Sequence, residues 1–149
     1  MLSAMSVLSM RPDMLNQVFA STKERKRGIY TIRLFVDGKS RLIPVDDQLP
    51  VANHKPAFVR GVDVAEIWPA VIEKAYAKAH GGYGRIEGGQ VHAALASLTG
   101  GYGESVKLDN KHEIADGRLW ERLKRLVADG HLIGAGTPSG EGLGPDADG

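Results

Sequence analysis

The stretch "GIYTIRLFVDGKSRLIPVDD", residues 28–47, decides the fold because its period is alternating, as in β-strands, and not helical. Two strand-like runs are joined by Asp37 and Gly38, a dipeptide that supplies the positive φ angles of a tight hairpin turn. Pro44 removes one ladder donor, so the second strand is predicted to lie at a sheet edge or to end near Val45. The sequence therefore predicts an antiparallel hairpin here.

Helical patterns come before the hairpin. In "MLSAMSVLSM", residues 1–10, the larger apolar groups recur at helical intervals, which predicts a helix that begins without a cap. The next stretch, "RPDMLNQVFA", predicts a second short helix with Pro12 in its first turn. "STKERKRG", residues 21–28, is a basic linker without interleaved aromatic residues. We therefore expect a solvated loop there and no nucleic-acid-binding patch.

The strongest helical pattern follows the hairpin, in "EIWPAVIEKAYAKAHG", residues 66–81. Pro69 is tolerated only where its missing N–H would be unpaired anyway, so this helix is predicted to begin near Ala65 or Glu66. Three charged residues are predicted to lie outside its apolar stripe: Glu73, Lys74 and Lys78.

The second half of the sequence alternates between the two patterns. "GGQVHAALASLTGG", residues 88–101, predicts a small-residue helix, and "YGESVKL", residues 102–108, predicts a strand. A third strong helix is predicted over residues 113–128, closed by Gly130. "HLIGAGT", residues 131–137, predicts a short buried strand.

Composition limits the possible functions. The chain has 149 residues, 42% of them hydrophobic, which is enough to bury the core of one domain or of parts of two. A net charge of +1 gives no general reason to expect a nucleic-acid or membrane partner. The absence of cysteine excludes disulfides and an internal thiol nucleophile. No stretch has the pattern of a signal peptide or a membrane span, so we expect a soluble cytoplasmic protein.

Three familiar kinds of site are not supported. The tract "GGYGRIEGG", residues 81–89, follows a helix and precedes Gln90, whereas a phosphate-binding loop follows a strand and ends in Lys-Ser or Lys-Thr. The histidines are scattered, and no pair has metal-ligand spacing. Asp46 and Asp47 point to opposite faces of an extended chain, so an acid–base dyad is not expected. Ordinary turns, a hinge and a substrate ledge remain as interpretations of the glycine tract.

The motifs resemble a known family when they are taken in order. "GIYTIRLFVDGKSRLIPVDDQLP", then "EIWPAVIEKAYAKAHGGYGRIEGGQVHAAL" and "SLTGG", are similar to the catalytic core of calpains, the calcium-dependent cysteine endopeptidases with a papain-like fold. The resemblance runs from Leu2 to about Ser139, and "LIGAGTPSG" is most similar to the plant and algal type. It implies an α+β fold, a partial papain-like core with a helical first half that holds the hairpin and the start of a β-rich second half.

The resemblance also implies a domain organisation. Residues 1–100 correspond to the C-terminal part of the first core subdomain, and residues 101–137 to the start of the second. The segment Thr99–Gly103 is the expected boundary, with the junction itself at Thr99–Gly101. Residues 138–149 have the composition of a flexible tail.

The catalytic groups of calpains have no counterpart in this sequence. In the family the cysteine lies in a "GDCW" motif followed by a stretch of the type "FLSALSVL", which "MLSAMSVL" resembles. The histidine motif, similar to "GHAY", and the asparagine are expected beyond Gly149. The resemblance therefore implies an internal fragment of a calcium-dependent cysteine endopeptidase, inactive alone and without catalytic residues. A non-catalytic calpain-like module that binds a peptide or protein is the alternative, and a calcium-binding module is a third possibility.

Two candidate sites follow from the resemblance. Glu66, in "AEIWPA", matches the glutamate that helps calpains to bind calcium, but a calcium ion requires about six to eight oxygen ligands, so we expect weak or no binding by this chain alone. Gly88 and Gly89 match the paired glycines that line the substrate cleft. Without a Cβ atom, their backbone can approach that of an extended peptide. The expected partner is a protein or peptide substrate.

Overall fold

The structure is a computed structural model that describes residues 1–49, 51–52, 55–56, 67–86, 88–108 and 114–136, with backbone alone at 51–52 and 55–56. These residues form five α-helices: α1 (Leu2–Ser9), α2 (Pro12–Val18), α3 (Trp68–His80), α4 (Val91–Thr99) and α5 (Arg118–Ala128). Five strands accompany them: β1 (Phe19–Ser21), β2 (Ile29–Val36), β3 (Lys39–Asp46), β4 (Val51–Ala52) and β5 (Lys55–Pro56). The prediction of an α+β fold is confirmed.

The hairpin forms as predicted. β2 pairs antiparallel with β3 along its whole length, and Asp37 and Gly38 make the turn with φ angles of 51° and 70°. The order in the three-stranded sheet is β1-β2-β3, so β3 lies at an edge, as the position of Pro44 requires. A lysine of α3 covers this edge, because Lys78 Nζ donates to the Pro44 carbonyl oxygen at 2.8 Å.

The core lies between the sheet and the helices. Tyr30, Ile32 and Leu34 alternate inward along β2, and they pack in one cluster with residues of α1, α3 and α4. Six side chains are the largest that are completely enclosed: Leu8, Val18, Ile32, Leu34, Val71 and Ile72. Among the described residues, none after Leu98 is buried. Within the described structure, the buried core is therefore built by residues in the first two thirds of the chain.

Two predictions for α3 are wrong. The helix begins at Trp68 and not at Ala65 or Glu66. Pro69 still lies in the first turn, where backbone N–H groups have no partner within the helix, so its lack of an N–H costs no hydrogen bond. Glu73, expected outside the apolar stripe, is buried, with 8% of its surface exposed. The short 3₁₀ turn Tyr83–Arg85 contacts α3, and the charge of Glu73 acts on the Tyr83 phenol, so this turn adds a neighbour that the helical pattern alone does not reveal.

The second half departs further from its predictions. Neither predicted strand forms, since residues 101–107 and 131–136 have no strand pairing in the described structure. A strand needs a neighbouring backbone to satisfy its N–H and C=O groups, and a sequence pattern does not supply that neighbour. Ile114 and Ala115 are helical, but α5 itself starts only at Arg118, after Gly117 with its left-handed φ of 74°, while its closure near Gly130 is confirmed. The predicted tail, residues 138–149, lies outside the described residues.

A few contacts hold α5 and the segment after it against the first part of the chain. The Arg11 guanidinium donates to the Gly130 carbonyl oxygen at 3.1 Å and pairs with the Asp13 carboxylate at 2.9 Å. Leu132 packs against the edge of the core, and Arg122 forms an ion pair with Glu104 at 2.7 Å. The helix itself presents an amphipathic surface on which no residue is buried.

One ion pair between α3 and the hairpin predicts a pH effect. Lys74 Nζ donates to the Asp46 carboxylate at 2.6 Å, and this hydrogen bond, helped by the Gln48 N–H, lowers the pKa of Asp46. A carboxyl group with a lowered folded-state pKa stabilises the fold above its unfolded pKa of about 3.9, and the contribution is lost as the pH falls through the folded value.

We therefore expect Asp46→Asn to lower the urea midpoint of unfolding at pH 7 and to lower it less at pH 3. The matched control is Asp47→Asn, since the Asp47 side chain makes no hydrogen bond or ion pair in the described part of the chain. A loss in Asp46→Asn that is equal at both pH values, or larger at pH 3, contradicts the assignment.

Candidate functional site

The glycine tract connects α3 to α4. Gly81 ends α3 with a left-handed φ of 90°, and the Gly82 N–H donates to the Ala77 carbonyl oxygen at 2.8 Å. The chain then makes the Tyr83–Arg85 turn and passes through Gly88 and Gly89 into α4. Because α3 and α4 both contribute to the core, this exposed connection is held at both ends by buried structure.

Polar and aromatic contacts fix the start of this connection to α3. Burial, and then the charge of Glu73, raise the pKa of the Tyr83 phenol, which places the Glu73 carboxylate near that ring. The rings of His80 and Tyr76 stack with centroids 4.1 Å apart, and a ring nitrogen of His80 lies 2.9 Å from the Tyr76 carbonyl oxygen. The start of the connection is therefore held against the end of α3.

Gly88 and Gly89 face solvent. A Cβ atom added at either position would meet no heavy atom of the described residues within 4 Å. Gly89 has a φ of 134°, a conformation that favours glycine, whereas Gly88 does not have a positive φ. At Gly88 neither backbone conformation nor packing within the described structure requires glycine. The local geometry leaves room for another backbone to approach.

The calcium prediction finds no support in the described residues. Glu66 lies outside them, so its position is not part of the structure described here. Within the described ranges, no group of three or more His, Cys, Asp or Glu side chains is arranged to hold a metal ion. Calcium prefers a cage of about six to eight oxygen atoms, and the described residues present no such cluster.

The segment after α4 makes close contacts that the sequence did not reveal. Gly100 ends the helix with a left-handed φ of 76°, and its Cα lies so close to the Phe35 ring that a Cβ would come within 2.6 Å of Cζ. The Thr99 hydroxyl donates to the Leu95 carbonyl oxygen at 2.8 Å and accepts from the Gly101 N–H at 3.2 Å. The start of the Thr99–Gly103 segment is thus pinned to the hairpin and to α4.

Cysteine content and helix length are two further properties of the chain. The sequence contains no cysteine, so these 149 residues cannot supply a thiolate. In the described part of the chain, no helix combines the length and the apolar character needed to cross a bilayer.

Comparison with known proteins identifies the family. The profile of the calpain family cysteine proteases matches residues 1–143. Over 143 residues the chain is 41% identical to the calpain-type cysteine protease DEK1 of Arabidopsis thaliana, a match that covers 93% of this chain and 7% of that protein. DEK1 of Zea mays is 40% identical over 143 residues, with the same coverage. Human calpain-12 is 33% identical over 144 residues, which are 95% of this chain and 20% of that protein.

The chain thus spans between 7% and 20% of the length of these relatives. The match covers both the hairpin and the glycine tract, the two parts of the molecule on which the fold and the candidate ledge depend. The chain belongs to the calpain family of cysteine proteases.

Proposed function

We propose that these residues form one wall of the substrate cleft in a calpain-type cysteine endopeptidase, and that Gly88 and Gly89 are the ledge on which an extended peptide backbone docks. The observation that carries the proposal is the environment of Gly88, which is exposed and open and has no internal reason to be glycine. A substrate backbone that approaches closely supplies that reason.

In this proposal the chain binds and orients substrate and leaves bond cleavage to other residues. A thiol protease needs a thiolate, a histidine that activates it, and a group that orients the imidazole. No cysteine is present, so the chain alone is proposed to be inactive, and the complete enzyme to hydrolyse internal peptide bonds. Residues 1–100 are assigned to the first core subdomain and residues 101–137 to the second, in line with the absence of buried side chains after Leu98 in the described ranges.

Calcium dependence is also a proposal for the complete enzyme. Glu66 is proposed as one ligand of the ion, with the remaining oxygens supplied by residues outside this sequence. Weak or absent calcium binding by the chain alone stays a prediction, since Glu66 lies outside the described residues.

The ledge is tested by a substitution that leaves the backbone unstrained. Gly88→Trp is expected to weaken binding of a fluorescein-labelled, extended peptide to the chain by about tenfold or more, because the indole would occupy the space of the peptide backbone. Fluorescence anisotropy measures the affinity. Gly89→Trp is a poorer test, since its φ of 134° would add backbone strain to any steric effect.

The matched control is Gly84→Trp. Gly84 is also exposed, has no positive φ, and has no atom of the described structure within 4 Å of an added Cβ, but it lies in the Tyr83–Arg85 turn before the ledge. This variant is expected to bind the peptide within about twofold of the unchanged chain. Equal losses in both variants, or no loss in Gly88→Trp, would overturn the assignment of the ledge.

A second candidate is a calpain-like module that binds a peptide or protein without cleaving it. It is favoured by one observation, that every buried hydrophobic residue of the described structure lies between Ala4 and Leu98. In the described part of the chain, the ledge therefore rests on buried residues that all precede Thr99. The two candidates share the same surface and differ in whether a thiolate and an imidazole face it in the complete protein.

A further inference from the structure

A small cavity lies beside β2, next to the core residue Leu98. It has a volume of about 50 Å³ and is lined by residues of α2, β2 and the end of α4. Six residues line it: Met14, Gln17, Arg33, Phe35, Leu98 and Thr99. The cavity is distinct from the Gly88–Gly89 ledge, which contributes no residue to it.

Arg33 gives this cavity its charge. The residue alternates with Ile32 and Leu34 along β2, so its side chain lies on the face away from the core, where it is half-buried. Its guanidinium makes no hydrogen bond or ion pair in the described structure. A half-buried guanidinium that has no counterion among the described residues keeps its donors open to an anion.

The other arginines of the described residues differ from Arg33 in one of two ways. Some have carboxylate partners, as Arg11 has in Asp13 at 2.9 Å and Arg118 has in Asp116 at 2.6 Å. Others, such as Arg41 on β3, are exposed, so that water satisfies their donors. Arg33 combines partial burial with the absence of a counterion in the described part of the chain.

The other residues that line the cavity indicate what kind of ligand fits it. Gln17 adds a side-chain amide that makes no hydrogen bond in the described structure, whereas the Thr99 hydroxyl is already engaged with backbone groups at both sides. Met14, Phe35 and Leu98 supply apolar walls. A guanidinium presents a planar fork of donors that matches a carboxylate in two parallel hydrogen bonds. Apolar walls beside that fork suit a short aliphatic stem.

We propose that this cavity binds a carboxylate on a short aliphatic stem, with Arg33 donating to both oxygens and the stem lying against Phe35 and Leu98. The ligand is a glutamate side chain of a peptide or a small free carboxylic acid, which share this chemistry. The Phe35 ring also packs on Gly100. A ligand that lies against Phe35 therefore contacts the side chain that supports the Thr99–Gly103 segment. The inference does not depend on the function proposed for the ledge.

The test uses the ¹⁵N-labelled full chain and sodium propionate, with sodium chloride keeping the ionic strength constant. The Arg33 Nε–H resonance is expected to shift saturably with propionate and to remain unchanged with propionamide, which has the same shape without the charge. Arg33→Gln is expected to weaken the propionate response of neighbouring amides, including that of Leu98, at least tenfold. Arg41→Gln, an exposed arginine on the adjacent strand, is the matched control and should bind propionate unchanged.

Two further arms separate the sources of the carboxylate. A capped tripeptide with a central glutamate and no free C-terminal carboxylate tests the side chain of a peptide, and free propionate tests a small acid. Saturable shifts with both support the proposal with a peptide as ligand, and shifts with propionate alone support it with a small acid. Indistinguishable responses to propionate and propionamide in the unchanged chain would overturn the proposal, and this comparison does not depend on how any variant folds.

Discussion

Replacing Gly100 with alanine is expected to destabilise the fold more than the same replacement at Gly38. Both glycines have left-handed φ angles, 76° at Gly100 and 70° at Gly38, so alanine meets a similar backbone strain of about 1–2 kcal/mol at each. The surroundings differ. An added Cβ at Gly38 meets open space, whereas at Gly100 it lies 2.6 Å from Cζ of Phe35.

The clash at Gly100 has to be relieved by movement of the Phe35 ring or of the turn. Such overpacking costs about 1–3 kcal/mol, so the total loss at Gly100 is expected to be about 2–5 kcal/mol. Urea unfolding followed by tryptophan fluorescence measures both variants, and Gly38→Ala isolates the strain shared by the two. Equal losses of unfolding free energy would mean that Phe35 does not support the Gly100 turn.

The second large effect is expected at Leu34. Its side chain is fully enclosed at the centre of the core, with 0% of its surface exposed. Leu34→Ala removes buried methyl groups and leaves a cavity, which costs about 2–5 kcal/mol. Because natural domains are stable by only about 5–15 kcal/mol, this single change is expected to bring the protein close to unfolding at room temperature.

Leu42→Ala is the matched control for Leu34→Ala. Leu42 lies on the paired strand β3, but 59% of its surface is exposed, so the same truncation is expected to change stability by less than about 0.5 kcal/mol. Thermal unfolding monitored by circular dichroism reports both variants. If Leu42→Ala lowers the midpoint as much as Leu34→Ala does, the sheet buries a different face from the one described.

The sequence predicts the hairpin well because its signals are local. Alternation along β2 and the Asp37-Gly38 turn together determine pairing and register without help from distant residues. The strand β1 was missed because it has no local signal in the sequence. Its three residues, Phe19–Ser21, pair with the hairpin through contacts distant in sequence, and so short a strand has no periodicity of its own.

The predictions for the second half were weaker because they depended on partners. Residues 102–108 and 131–137 have apolar content that suits a strand, yet no neighbouring backbone pairs with residues 101–107 or 131–136 in the described structure. The helix α5 was recognised from its stripe, but it starts only after the left-handed Gly117. Local sequence patterns indicate where a helix or an extended segment lies. Whether an extended segment becomes a β-strand depends on pairing with another part of the chain.

The candidate sites also divide into those that the sequence indicates and those that only the fold reveals. Gly88 and Gly89 were found by resemblance, and the structure adds that Gly88 has no internal requirement for glycine. Glu66 stays a prediction, since it lies outside the described residues. The carboxylate-binding cavity gave no signal in sequence, because Gln17, Arg33 and Thr99 come from three separate elements that only the fold brings together.

The central claim is that this chain is the cleft wall of a calpain-type cysteine endopeptidase whose catalytic groups lie elsewhere in the same protein. Long-read sequencing of the transcript that encodes Met1–Gly149, followed through both ends, tests it most directly. We predict an in-frame cysteine motif of the "DCW" type upstream and a histidine motif of the "HAY" type downstream. Stop codons that bound the reading frame at Met1 and Gly149 in a stable transcript would contradict the claim and leave a module that binds without cleaving.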